Sequence, residues 1–405
     1  VVTPVVQVRL ADAGDLFMAW RWTVGVQGFG TGQAPADEVT GAVAALNAAL
    51  PGDLRSAFET GALGDYSREL ELSRTLAEAL WPPGLTDQIR QVSASLGRPL
   101  VRIQPSPRVA QVPWELLAVE PEARLLDLAD VVTTVPVSLR RKTSVAAGSD
   151  AVVLVLDPRV PGARPGSPLG SVLGQADPAL IEMVRRHLDA GDALPPVGDA
   201  SEALRRTDLD RDWLSTTLRG GARRLLYVGH VSSAPVEGGQ SEDAQLHLCC
   251  GPETTGFADV VRTHRPLSAK DLLLGTLTLH ADGVAGAETW PAPPRVALIA
   301  CESGGDLRFG ESFGLASAMI HNGAELVTAT RWPVPTSHAF HRLAAVAETT
   351  HPLSDLVVAV DSAHDRPDPV RRLGEWQRAQ LERWRGDGRI EHSPLLWGAV
   401  TTLVT

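Results

Sequence analysis

Cysteine is scarce in this 405-residue chain, which has only Cys249, Cys250 and Cys301. The count is odd and two of the three are neighbours. That argues against a disulfide scaffold and fits a reducing, cytoplasmic compartment. No run of about 18 apolar residues occurs, so no membrane partner is expected. Basic residues are outnumbered and the net charge is −11. An acidic protein repels phosphate backbones, so direct nucleic-acid binding is not expected. Val1-Val2-Thr3-Pro4 carries no basic segment leading into an apolar run. No signal peptide is expected, and the start fits a trimmed tag or prodomain. No repeat of solenoid period stands out.

What is present is an ordinary globular composition, 44% hydrophobic and 21% charged, long enough to bury a large core. Residues 5–24 read as a hairpin turning at Asp12–Asp15, and GFGTGQ (28–33) as a flexible loop. From Asp37 to Leu96 the apolar residues recur three and four apart, so 1–95 is expected to be a hairpin plus a helical region. After Gly97 short β-branched runs alternate with helical segments. Strands are expected at 100–104, 131–137, 151–157, 223–229, 295–300, 325–332 and 395–404. Helices are expected at 178–190, 200–218, 268–274, 311–322, 337–349, 353–363 and 370–385. Continuous apolar strands alternating with helices imply an α/β fold, a mainly parallel sheet flanked by helices on both faces. Residues 96–405 would form that domain.

Ligands of open parallel sheets bind at the carboxyl ends of the strands. Two expected strands end in reactive residues: RRLLYVG runs into His230, and RVALIA runs into Cys301. Alone, each is an ordinary core or surface residue. Together, on neighbouring parallel strands, they would share one sheet edge and pair a thiol with an imidazole. The small residues that follow, Ser232-Ser233 and Ser303-Gly304-Gly305, leave room for a substrate backbone.

The segments LYVGH (226–230) and LIACESG (298–304) resemble the His and Cys motifs of the CHAT family, caspase-like cysteine peptidases related to separase. IQPSPRVAQVPWELL (103–117) resembles the family's opening segment. AQLHLCC (244–250) with RPLSAKDLL (265–273) resembles the stretch between the two motifs. SFGLASAMIHNGAELVTATRWPVPTSHA (312–339) resembles the helix, turn and strand after the Cys, and SPLLWGAVTTLV (393–404) the closing strand. The resemblance spans about residues 70–405.

It implies a caspase-like fold and a cysteine endopeptidase with Cys301 as nucleophile and His230 as base, then acid. The backbone N–H groups of Cys301 and Val231 would bind the oxyanion. Relatives often have Gly at the position of Val231. Metacaspase-like relatives have Asp where this chain has Ile299, so one carboxylate that selects a basic side chain is absent. Glu302, Asp306, Glu311, Arg331 and Trp332 are the substrate-pocket candidates. Residues 96–160 would contribute to a degenerate caspase-like half. The partners implied are a restricted protein substrate and a separate regulatory or activating protein, in bacterial defence or cell-death signalling. The rival readings are a catalytically silent binding module, motivated by Val231 and by residues 1–70, and a small-molecule acyl hydrolase.

Neither metal nor cofactor is expected. His247, Cys249, Cys250 and His264 lack zinc-finger spacing, and His338 with His341 reads as a surface pair. Pro113-Trp114-Glu115 reads as the start of a packed element.

Overall fold

The computed structural model describes residues 2–136, 149–164, 166–174, 177–235 and 237–405. Val137, the end of one expected strand, and residues 138–148 of the suggested degenerate half lie outside them.

The chain opens with strands β1 (Val5–Ala13), β2 (Asp15–Val24) and β3 (Phe29–Ala34), then helices α1 (Ala36–Ala49), α2 (Leu54–Glu59), α3 (Tyr66–Leu80) and α4 (Pro83–Leu96). Next come β4 (Leu100–Gln104), α5 (Leu125–Leu128), β5 (Asp130–Thr134), β6 (Val152–Leu156), α6 (Pro178–Ala190) and β7 (Ala193–Leu194). The middle of the chain supplies α7 (Arg211–Arg219), β8 (Arg224–Val228), β9 (Val231–Ser232), β10 (Gln245–Leu246) and β11 (Leu267–Ser268). They are followed by α8 (Ala269–Leu274), α9 (Gly286–Thr289), β12 (Arg295–Ile299), α10 (Leu315–His321) and β13 (Leu326–Thr330). The chain closes with α11 (Ser337–Ala344), α12 (Pro352–His364), α13 (Pro369–Asp387), α14 (Pro394–Trp397) and β14 (Val400–Val404).

Eleven strands form one sheet, ordered β3-β2-β1-β4-β5-β14-β13-β12-β8-β6-β7. The centre is parallel from β12 through β8 to β6, and β14 is antiparallel to β13. The N-terminal hairpin is continuous with this sheet, because β1 pairs in parallel with β4. The expected boundary at 95/96 therefore falls between elements that one sheet joins.

Burial explains the two hydropathy patterns. In β6, Val152, Leu154 and Leu156 enter one core and Val153 and Val155 the other. A strand covered on both faces must be apolar throughout. In β2, Leu16, Met18, Trp20 and Trp22 are buried while Phe17, Ala19 and Arg21 are exposed. Strands β1 and β2 alternate because only one face of this part of the sheet is covered.

The glycine-rich segment expected to be a loop is instead β3, paired antiparallel to β2. A Cβ on Gly30 would lie 2.1 Å from the Trp20 indole, so glycine there admits the ring. The expected helix 200–218 is shorter: α7 starts after Asp210, whose carboxylate accepts the Trp213 N–H at 2.8 Å. The expected strand 395–404 begins as α14, with Pro394 in its first turn.

Candidate active site

Strands β8 and β12 run parallel in register, with Val228 opposite Ile299. The Gly229 N–H still donates to the Ile299 carbonyl at 3.3 Å. His230 follows β8 by two residues and Cys301 follows β12 by two, so the two residues hold corresponding places after neighbouring parallel strands. Register thus gives equivalent places at one end of the sheet to two residues that the sequence separates by about 70 positions.

His230 is oriented by a contact that the sequence did not reveal. Its Nε2 lies 2.6 Å from the Gly170 carbonyl oxygen. A carbonyl only accepts, so Nε2 carries the proton and Nδ1 keeps its lone pair in the neutral ring. Tyr227, buried on β8, directs its hydroxyl at the His230 carbonyl, 2.6 Å away, and lies 3.0 Å from the His247 carbonyl. Burial pushes that phenol far above its ordinary range, so it stays a donor. Tyr227→Phe is expected to lower unfolding free energy by about 1–3 kcal/mol, because buried carbonyls lose their donor. Urea denaturation would measure it.

Val231 lies opposite Leu246 in the small sheet of β9, β10 and β11. The His247 N–H donates to the His230 carbonyl at 3.1 Å. Val231 and Leu246 are therefore a non-hydrogen-bonded pair, and the Val231 N–H is directed away from β10. Val231 is not among the residues with positive φ, so this backbone position does not require glycine.

The Cys301 turn is anchored on the end of β13. The Glu302 N–H donates to the Trp332 carbonyl at 3.3 Å, and the Gly304 N–H to the Thr330 carbonyl at 2.9 Å. The Ser303 hydroxyl donates to the Leu298 carbonyl at 2.6 Å. Burial pushes the Cys301 thiol up, against N–H groups of Val334 and Cys301 itself, which lower it. Burial thus disfavours a preformed thiolate at Cys301. Burial also raises Cys249, to about 11, and Cys250. Cys301 alkylation by a small neutral electrophile is expected to be slow at pH 7. It should rise only as pH climbs past the ordinary thiol value, because a raised pKa delays thiolate formation. An inflection below that value in the rate–pH curve would contradict this.

The pocket candidates fare differently. Glu302, at φ 54°, lies in the left-handed region, its carboxylate held by Gln111 at 3.2 Å and paired with Arg308. It borders a narrow recess with Ser233, Ser241, Asp306, Arg308 and Phe309, whose open volume is only about 10 Å³. Asp306 is buried and accepts the Ser317 N–H at 2.7 Å, which caps α10. Burial raises its carboxyl against those backbone bonds. Glu311 has an exposed side chain, and its carbonyl accepts from Ser241 at 2.6 Å.

Arg331 and Trp332 are not subsite residues, and that expectation is corrected. Arg331 is 3% exposed, pairs with Glu115 at 3.0 Å and donates to the Gly398 and Val400 carbonyls. Trp332 is 0% exposed and its indole N–H donates to Leu395 at 3.0 Å. The strand end tucks beneath the 394–400 segment, so both side chains are spent inside. Glu115, expected only to pack, is the buried charge that holds Arg331.

The histidines and cysteines weighed as metal ligands make other contacts. His247 Nδ1 lies 2.9 Å from His264 Nε2, and His247 Nε2 lies 2.8 Å from the Ser232 hydroxyl. Burial first, then His264 and His230, lowers His247 to about 3, so it stays neutral. Cys249 turns away to the Arg206 carbonyl. His341 bonds the Thr350 carbonyl at 2.7 Å and meets the His351 ring, while His338 is exposed. Among the described residues one cluster, His187, Asp361 and Asp365, has ligand spacing. Arg224 fills it, with one guanidinium nitrogen 3.0 Å from both His187 Nε2 and Asp361 and 3.1 Å from Asp365.

No curated protein sequence matches this chain. Among solved structures, a chain of the Saccharomyces cerevisiae separase–securin complex superposes with a TM-score of 0.54 at 9% identity. The match covers 100% of this chain and 30% of that one. A second determination of the same complex gives a TM-score of 0.49 at 9% identity, over 99% and 30%. This chain thus spans about a third of the length of the separase-complex chain it matches, and the likeness is one of fold. No helix among the described residues is long and apolar enough to cross a membrane. A model of the CHAT domain matches residues 70–351. The chain belongs to the CHAT domain family, with the caspase-like α/β fold of separase.

Proposed function

We propose that this protein is a cysteine endopeptidase that cleaves a restricted protein substrate through Cys301 and His230. The observation that carries the reading is the parallel register of β8 and β12, which His230 and Cys301 follow at equivalent places, with the His230 Nε2–H donating a hydrogen bond to the Gly170 carbonyl. That bond leaves Nδ1 free to accept a proton.

Cys301 Sγ attacks the scissile carbonyl carbon as His230 Nδ1 takes the thiol proton. The oxyanion is bound by the N–H groups of Cys301 and Val231. The same imidazole then protonates the leaving amine, and water hydrolyses the thioester with His230 again as base. Deprotonation in step with attack suits a thiol that burial keeps neutral at rest. It also suits a peptidase that stays idle until its own substrate arrives. Glu302 is the remaining pocket carboxylate beside the nucleophile, and Asp306 and Glu311 shape the surrounding loops. A separate regulatory protein, a cytoplasmic setting and a role in bacterial defence or cell death complete the proposal. The solved structure it resembles is itself a complex of separase with securin.

The test is covalent capture. A peptidyl acyloxymethyl ketone library should add one adduct, mapped by mass spectrometry to Cys301, and His230→Ala should prevent it. Adducts spread evenly over Cys249, Cys250 and Cys301 would refute the peptidase. The raised thiol favours one rival, a catalytically silent binding module, which predicts that even distribution.

A further inference from the structure

We propose that Asp157 is a positioning residue that fixes the tautomer of His230 through the loop bearing Gly170. The proposal rests on the reading of His230 as a base. Asp157 follows β6 directly, and its N–H donates to the Val228 carbonyl at 2.6 Å, so it is tied to the strand that ends in His230. Its side chain is 0% exposed, and its φ is 52°, in the left-handed region. A non-glycine residue kept there and buried is held by its surroundings.

Those surroundings are one stretch of loop. The Asp157 carboxylate accepts the Ser171 hydroxyl, the Val172 N–H at 3.2 Å and the Leu173 N–H at 3.4 Å. Arg205 also reaches it, at 3.2 Å. The Ser171 oxygen in turn accepts the Gly174 N–H at 2.8 Å. Residues 171–174 therefore wrap the carboxylate, and the next residue back presents its carbonyl to His230. Gly170 is also held from its other side, its N–H donating to Ser167 at 2.8 Å. The carboxylate is fully buried and its hydrogen bonds go to residues 171–173 and Arg205, so its use here is to hold the loop whose carbonyl keeps the proton on Nε2. If that carbonyl shifts, Nε2 loses its acceptor and the ring is free to carry its proton on Nδ1, where it no longer accepts the thiol proton.

The experiment reads the tautomer directly by long-range ¹H–¹⁵N NMR of the full chain labelled at histidine. The native protein should show His230 protonated on Nε2. Asp157→Asn keeps the shape and tolerates left-handed backbone, but turns a donor toward N–H groups. It should give a mixed tautomer and lower kcat about 10²-fold, with KM changed less than about twofold. Ser171→Ala, a milder change, should shift the tautomer partway, and it decides the matter if Asp157→Asn does not fold. Arg205→Gln removes the ion pair only and should leave the Nε2 proton in place. An unchanged tautomer in folded Asp157→Asn or, failing that, in Ser171→Ala overturns the proposal. So does an equal shift in Arg205→Gln. A tautomer shift in a protein that cleaves nothing supports the positioning role and refutes the peptidase, so the two failures are distinct.

Discussion

Replacing Cys301 by alanine should lower cleavage of the cognate substrate by roughly 10⁴-fold or more, the size of effect seen when a nucleophile is removed from a peptidase. The fold should survive the change. Cys301 lies in a turn at the sheet edge, partly exposed, and the turn is held by Glu302, Ser303 and Gly304 rather than by the sulfur. The expected change in unfolding free energy is therefore within about 1 kcal/mol. His230→Ala should be nearly as inactive, and the double variant no worse than either single one, because groups that act as a unit are not additive. Kinetics on the purified variants with melting curves alongside would decide it. A Cys301→Ala protein that still cleaves would assign the chemistry to other residues. One that is inactive because it unfolds at assay temperature would contradict the account of the turn.

The largest stability effect is expected at Arg331. Its guanidinium is buried against Glu115, and also donates to the Gly398 and Val400 carbonyls. Arg331→Ala leaves the Glu115 carboxylate without its cation in a dry site, and such changes cost about 3–5 kcal/mol. The double change Glu115→Leu with Arg331→Met should recover much of that loss, since a packed apolar pair needs no compensation. Denaturant unfolding of the two singles and the double forms the cycle that measures the coupling. Activity should fall with stability, because residues 330 and 332 on either side of Arg331 hold the Cys301 turn through their carbonyls. An Arg331→Ala protein as stable as the native one would show that the pair is not worth its burial.

The parallel strands were legible because they are buried on both faces. VVLVL, RLLYV and RVALI are each built around an apolar run, and each occupies the expected place within a residue or so. The register of β8 with β12 was legible only as a condition: if neighbours, then a shared edge. The weaker readings failed where local composition met a tertiary contact. Gly28–Gln33 looks like a loop until Trp20 needs a neighbour without a side chain. Arg331-Trp332 looks like a subsite until the 394–400 segment covers it. Charge alone could not tell which carboxylates were free: Asp306 caps a helix, Glu302 is paired, and Glu115 is buried.

The contacts that orient His230 left no local mark at all. Gly170 contributes a carbonyl, which every residue has, and neither Tyr227 within β8 nor Asp157 just after β6 shows in its residue type what it will bond. The sequence by itself determined the class of fold and the places of its central strands along the chain, and it marked the two reactive residues that follow them, since burial on two faces and side-chain chemistry are written in residue type. Only the tertiary structure decided which side chains are spent on the protein itself and which backbone groups turn toward the imidazole. Hydrogen bonds of that kind join distant backbone atoms, whose positions no side-chain pattern encodes.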